Sequence, residues 1–533
     1  MVNIFHSIDI LLFSSLVLTL NFNETKIYYN IALSLSTLLI TGIMSFFLEL
    51  NINIKNDTHF YFIHNLSFPL LLLSIANCEN SFESLSSNSV NLFSICISIS
   101  SMAIYKSNNI FFSKKWPLFF KITIFTLFFV FIILNQYQYQ IINVEFFAII
   151  YHLTLLQFSL SSVTGEGAHC TQFGELNIFS QLISFLLLIS LSNIKVKDSS
   201  SIFEWKQCIN SITAIAILLI PVNIFIFEII LNYRNIPSEE KFQIKIFPRY
   251  LTIVLLSILY LSLYNTAKYI YKVSTFIVKM IVESVPIRKL IIYWAFVIMC
   301  LPIMLKLIEN LNSDSKKKKI FTRKIFHLFL IALFFPQILS FNMMPNRESQ
   351  GTIEFTIISI YLASCIFIYL EVMRKYRYRE LARLINRLLV PFLDNKDSVN
   401  GLIITHICLL IGISIPLFKE FLLIKDIKDF DIVSATLGIA TIGIGDAFSA
   451  IFGILFGKMC LPGNKDKTLI GMIAFFISTF SSLQLTCFFS SSKYSLSKLY
   501  IISFFSSLLE AYSHYIDNAT IPMYSLTLYT NIR

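Results

Sequence analysis

Runs of apolar residues long enough to cross a bilayer recur from one end of this chain to the other. A transmembrane helix needs about 17–25 such residues to traverse a hydrocarbon core about 30 Å thick. Ile31–Leu50, Pro117–Leu134, Phe179–Leu191, Ile212–Leu231, Leu251–Tyr264, Ile291–Leu307 and Leu402–Phe418 are clear examples. On that length rule the 533 residues hold roughly 14 to 17 candidate spans. With 56% hydrophobic and only 14% charged residues, a water-soluble fold could not bury so much apolar surface. The expected fold is an all-α polytopic integral membrane protein with no sizeable soluble domain.

Topology explains most of the remaining composition. The 53 Phe and 24 Tyr are read as lipid-facing bulk and interfacial anchors. The formal charge of +11 comes from lysines and arginines in short loops between spans. There, positive charge marks the cytoplasmic side, so no nucleic-acid partner is expected. Nine scattered cysteines form no CxxC pair and read as buried small side chains. No basic segment precedes Ile8–Leu20, which reads as a retained first span. The sequons at Asn23 and Asn56 flank the second span, so at most one faces the lumen.

Residues 1–310 carry few polar signals and are expected to form a scaffold or lipid-holding region. One exception is Phe173–Gln181, where Glu175 and Gln181 sit at the mouth of a span. Residues 311–533 are richer. Lys316–Lys319, Arg374–Arg387 and Lys458–Lys467 are basic, and each is separated from the next by two spans. They therefore share one face, and a final pair of spans is expected to return Arg533 to it. The positive-inside rule makes that face cytoplasmic, where its lysines set topology or offer a rim to nucleotides.

The densest stretch is 443–471, GIGDAFSAIFGILFGKMCLPGNKDKTLIG. Gly445, Ser449, Gly453 and Gly457 recur every four residues, a stripe suited to close helix packing. Packing does not explain Asp446. A mid-membrane aspartate costs about 2.5–3.5 kcal/mol on insertion scales and usually faces a working polar cavity. Gly438, Gly443 and Gly445 are placed to let the helix open there. Pro462-Gly463 makes a turn able to present backbone N–H groups to an anion. Lys458, Lys465 and Lys467 supply ammonium charge, Thr468 a hydroxyl, and a helix N-terminus follows at Leu469. A carboxylate for a divalent metal beside lysines for phosphates suggests phosphoryl transfer, without a Walker A loop.

Near the C-terminus, Glu510 and Asp517 stand two helical turns apart, with Asn518 alongside. On one continuous helix they share a face, either holding metal or accepting a proton, or else lying solvated at the interface. Arg323, Lys324 and His327 form one basic face, with His327 either an interhelical partner or a phosphate contact.

GDAFSAIFGILFGK followed by LPGNKDKTLIG resembles the CTP-using segment of dolichol kinases and their polyprenol and phytol kinase relatives. Four more blocks appear in family order: RKIFHLFLIALFFP, YLEVMRKYR with Glu371, FLDNKDSVNG with Asp394, Asp397 and Ser398, and LLEAYSHYIDNATIP. The resemblance covers residues 320 to about 522. FGELNIFSQ is similar to a Gly-Glu…Gln element of the family's N-terminal half. Ile470 stands where the family has glutamate, which calls one metal or ribose contact into question. Asp466 replaces a lysine, Asn464 a small hydroxyl residue, and Met472 a hydroxyl residue.

The resemblance implies transfer of the γ-phosphate of CTP to dolichol with a divalent cation, Mg²⁺ or Ca²⁺, at the endoplasmic reticulum membrane. The product is the carrier lipid for N-glycosylation and mannosyl transfer. Carried onto this chain, the nucleotide stretch is about 453–469, with Gly445, Ser449, Gly453, Gly457, Lys458, Pro462, Gly463, Lys465, Lys467, Thr468 and Gly471 in or beside it. Asp446, Glu510 and Asp517 are the candidate catalytic acids, Asp446 and Asp517 the candidate metal ligands, and Arg323, Lys324, His327, Glu371, Asp394, Asp397, Ser398 and Asn518 supporting residues. Nucleotide site and C-terminus are both expected to face the cytosol. The rival readings are a diacylglycerol kinase, a cytidylyltransferase making CDP-lipid, and a transporter coupled through Asp446.

Overall fold

The computed structural model describes residues 266–309, 315–340, 346–375, 403, 405–423, 430–462, 464–490, 494–512 and 517–532, with short pieces at 71, 180–185 and 212–213. Among these residues the fold is helical apart from one small hairpin. The helices are α1 (Thr266–Glu283), α2 (Val285–Glu309), α3 (Ser315–Leu339), α4 (Asn346–Lys375), α5 (Thr405–Leu423), α6 (Ile432–Gly438), α7 (Asp446–Phe456), α8 (Leu469–Phe489), α9 (Leu496–Tyr512) and α10 (Asp517–Asn531). A π-helical segment, Ile439–Gly445, joins α6 to α7. Strands β1 (Cys460–Leu461) and β2 (Asn464–Thr468) pair antiparallel between α7 and α8.

Five described segments are long and apolar enough to cross a membrane: Val285–Leu307, Ile320–Leu339, Gln350–Glu371, Ile432–Phe456 and Leu469–Phe489. The spans expected before residue 265 and the sequons at Asn23 and Asn56 lie outside the described residues. So do Glu175, Asp394, Asp397, Ser398 and Gly463.

The core lies where α3, α4, α5, α6 and the π segment meet, around Leu333, Ile338, Ile357, Ile413, Leu417, Ile439 and Ile442. Lipid tails are as apolar as these side chains, so tight packing holds them, not exclusion of water. Gly438 shows how close the approach is. A Cβ there would lie 2.5 Å from the Gly412 carbonyl oxygen and 2.9 Å from Ile413 Cα. Polar contacts add specificity. Tyr293 Oη and Trp294 Nε1 on α2 donate to the Ala332 and Leu333 carbonyls on α3, at 2.6 and 2.9 Å. Residues on both sides of position 310 pack together: Ile212 joins the core, and Thr213 Oγ1 meets Tyr361 Oη at 2.5 Å.

The two ends of the bundle are built differently. At one end sits the hairpin, fixed by Asn464 Nδ2 donating to the Ala511 carbonyl at 2.9 Å. At the other, Asp431 caps α6 by accepting from Ser434 N–H at 3.0 Å. The same carboxylate takes the hydroxyls of Tyr494 at 2.9 Å and Tyr529 at 2.5 Å. Lys498 lies over the Tyr529 ring, 3.9 Å from its centroid.

This arrangement corrects two expectations. Glu510 and Asp517 belong to different helices, α9 and α10, and do not share one helix face. The C-terminus does not return to the hairpin's end: α10 runs back across the bundle and leaves Tyr529 beside Asp431. The reason is visible in DNATIPMYSLTLYTN, which is too short and too polar to read as a span. Two of its hydroxyls are satisfied within the helix, Ser525 donating to the Pro522 carbonyl at 3.0 Å and Thr527 to Met523 at 2.6 Å. Surrounded by other helices, the segment needs no lipid-compatible surface.

In sealed vesicles, a membrane-impermeant maleimide that alkylates the exposed Cys460 on β1 will therefore fail to reach a cysteine tag placed after Arg533, unless detergent is added. Peptide mapping of the two alkylation sites checks this.

Candidate functional site

The π segment sets the position of the site. Its wider turn shows at its end, where the Asp446 N–H reaches the Thr441 carbonyl five residues back. Such segments interrupt α-helical register and often mark functional positions. Asp446 opens α7 immediately after it, about 15 Å of helix short of Phe456 and hence near mid-bilayer depth. The helix widens here and does not break. Gly445 lets it lie against α8, where a Cβ would come within 2.5 Å of Thr479 Oγ1 and 3.0 Å of the Phe475 ring. The Thr479 hydroxyl in turn donates to the Ala440 carbonyl at 3.4 Å.

Asp446 is 5% exposed and forms an ion pair with Lys324 of α3. His327 Nδ1 lies 3.0 Å from the Ile442 carbonyl oxygen and 3.5 Å from Asp446 Oδ2. A carbonyl only accepts, so Nδ1 carries the proton and donates to it. A second pair stands beside the first. Lys467 of β2 binds Glu510 of α9, which is 2% exposed. Ser449, less than one turn after Asp446 on α7, donates to Glu510 Oε1 at 3.3 Å and links the two pairs. Lys467 is near enough to act electrostatically on Asp446 as well. Two carboxylates and two ammoniums thus meet around Ser449, contributed by α3, α7, β2 and α9.

The hairpin is tucked back along α7. Thr468 Oγ1 accepts from Gly471 N–H at 3.1 Å, capping α8, so its hydroxyl serves its own helix. Gly453, Gly457 and Gly471 make this fit possible. A Cβ on Gly457 would reach Thr468 Oγ1 at 2.6 Å, and one on Gly471 the Ser449 carbonyl at 3.0 Å. The small-residue stripe is a packing seam between α7, the hairpin and α8. Lys458 and Pro462 are exposed at the rim, and Lys465 lies on β2.

Other expected residues lie apart. Glu371 pairs with Arg374 at 2.6 Å and accepts from the Ile403 N–H, tying the end of α4 to the start of α5. Asn518 is buried near the start of α10, where its carbonyl crowds Gly412. Asp517 is the first residue of α10 and Arg323 is partly buried on α3. Among the described residues, no three His, Cys, Asp or Glu side chains gather to hold a metal ion. Sequence reasoning named Lys467 and Glu510 separately and missed their pairing, which only the fold of the hairpin onto α9 reveals. It also passed over Asn464, whose replacement of a hydroxyl residue was the available signal.

Fold and site together define a polytopic helical membrane protein with a charged chamber halfway through its bundle. By sequence it is similar to dolichol kinases: 32% identical over 252 residues to that of Mus musculus, 31% over 249 to that of Homo sapiens, and 30% over 251 to that of Schizosaccharomyces pombe. Each alignment covers 45% of this chain and 44 to 46% of the relative, so the match spans less than half the length of these proteins. No protein-family model matches the chain, and no solved structure matches it.

Removing one partner of a buried ion pair strands the other charge, at about 3–5 kcal/mol. Lys324→Met should accordingly lower the melting temperature of the detergent-solubilised protein by several degrees. The double change Lys324→Met with Asp446→Asn should recover most of that loss in the same melting experiment. Lys467→Met should cost a comparable amount, since the Glu510 carboxylate it strands is only 2% exposed.

Proposed function

We propose that the chain is a CTP-dependent dolichol kinase that converts CTP and dolichol into CDP and dolichyl phosphate. The observation that carries this is the chamber around Ser449, in a chain similar to dolichol kinases. It offers a buried carboxylate at mid-depth, where a lipid hydroxyl can arrive from the bilayer. Lysines approach the same point from a hairpin at the membrane edge, where a nucleotide can arrive from water. The reading places the enzyme in the endoplasmic reticulum membrane, supplying carrier lipid for N-glycosylation. Positive charge at the hairpin end supports a cytosolic orientation for that end, with the C-terminus on the other side.

In this mechanism CTP lies over the hairpin, within reach of Lys458, Lys465 and Lys467. Asp446 accepts the proton of the dolichol hydroxyl. That oxygen bonds to the γ-phosphorus as the bond to the β,γ-bridging oxygen breaks, and CDP leaves. Lys324 and Lys467 offset charge on the transferring group, so catalysis comes mainly from positioning and electrostatics. A divalent cation, when bound, would neutralise phosphate oxygens. Glu510, with Asp446 or Asp517, would hold it. So few protein ligands suit Mg²⁺, which commonly takes one or two carboxylates and completes its shell with phosphates and water.

The test is incubation of membranes carrying this chain with γ-labelled CTP, Mg²⁺ and dolichol. Labelled dolichyl phosphate with CDP release is expected, and Asp446→Asn should lower the rate by about 10²–10⁴-fold, the usual worth of a general base. Pyrophosphate release would make it a cytidylyltransferase instead. Full activity in Asp446→Asn would remove that residue from the mechanism.

A further inference from the structure

We infer that Lys324 is a gate on Asp446, holding the carboxylate in an ion pair until the donor's phosphates draw the ammonium away. The inference rests on the kinase reading above and adds an order of events to it.

As it stands, the chamber is neutral within itself. Lys324 holds Asp446 and Lys467 holds Glu510, with Ser449 between the pairs. That is the least costly resting state at this depth, because each buried charge has a partner. It is also unreactive. A carboxylate oxygen bonded to an ammonium is a poor proton acceptor, so an arriving lipid hydroxyl would meet no working base.

Among the described residues, the surroundings leave one route out of this state. His327 cannot release Asp446, because its Nδ1 proton is directed to the Ile442 carbonyl at 3.0 Å, with the carboxylate 3.5 Å off. Among the described residues, the other acidic and basic groups around Asp446 are Lys324, Lys467 and Glu510. The two lysines are unequal. Lys467 comes from the hairpin with 28% of its side chain exposed, whereas that of Lys324 is only 10% exposed. A polyanion entering over the hairpin therefore meets Lys467 first and Lys324 deeper in. Charge-assisted bonds to phosphate can take the place of the bond to carboxylate. The exchange moves Lys324 onto the donor and frees Asp446.

Two consequences follow. The donor must bind before the acceptor hydroxyl can be deprotonated, whichever of the two arrives first. Lipid without nucleotide, however abundant in the bilayer, does not engage Asp446.

The experiment uses the full chain in nanodiscs with EDTA, and two measurements. Equilibrium binding of labelled CTP is recorded first. Dicyclohexylcarbodiimide, an apolar reagent that attacks carboxyl groups not held by a cation, is then applied with and without CTP, and modified residues are mapped by mass spectrometry. Expected are low labelling of Asp446 at rest and a several-fold rise with CTP. Glu371, held by Arg374 outside the chamber, should not change. Lys324→Met should label at Asp446 whether or not CTP is present. CTP binding without any rise at Asp446 overturns the gate alone. Absence of CTP binding both in EDTA and with Mg²⁺ restored overturns the kinase reading and the gate with it. The native-chain comparison stands even if Lys324→Met folds poorly.

Discussion

An ammonium and a carboxylate held together halfway through an apolar bundle constrain everything built around them. Either charge alone at that depth costs several kcal/mol, so Lys324 and Asp446 must arrive together and stay in register. The register is fixed by backbone. The π segment sets where α7 begins, and Gly438 and Gly445 bring α6 and α7 against α5 and α8 at distances no larger residue allows. The Ile442 carbonyl sits in the middle of the π segment and takes its hydrogen bond from His327 on α3, the helix that also carries Lys324. One irregularity in one helix thus places both the carboxylate and the element that neutralises it.

The bundle's ends divide the remaining work. The Asp431 end is a closed knot of carboxylate, two tyrosine hydroxyls and a helix cap. The hairpin end is partly open: Lys467 keeps some exposure and Lys458 faces out, while Asn464 and the Lys467–Glu510 pair fasten the strands to α9.

Much of this was legible in the sequence, and the failures have physical causes. Asp446 declared itself because charge inside an apolar run is expensive, and the glycines around it announced both close packing and an irregular helix. Lysines at the hairpin could be counted but not paired. Whether Lys467 meets a phosphate or Glu510 depends on how far the hairpin folds back along α7, and that depends on Asn464 and on contacts of Gly457 with Thr468. Helix α10 escaped because hydropathy measures suitability for lipid, and a helix enclosed by other helices does not need it. Missing that one element inverted the predicted side of the C-terminus.

On the proposed kinase reading, the depth of the chamber bears on the chemistry in a way neither ligand alone would require. A nucleotide could be bound at the membrane surface, and a polyisoprenoid chain could be held anywhere in the hydrocarbon. Joining them demands a place where a polyanion is drawn inward and an alcohol need not leave the bilayer. About 15 Å of helix separates Asp446 from the rim, yet the hairpin returns along α7 and carries Lys467 down to the level of Ser449. Bringing charge to the lipid in this way spares the lipid a costly passage into water. The same reading accounts for carboxylates that come already paired: a site that is to receive a polyanion at that depth has to be neutral while it waits.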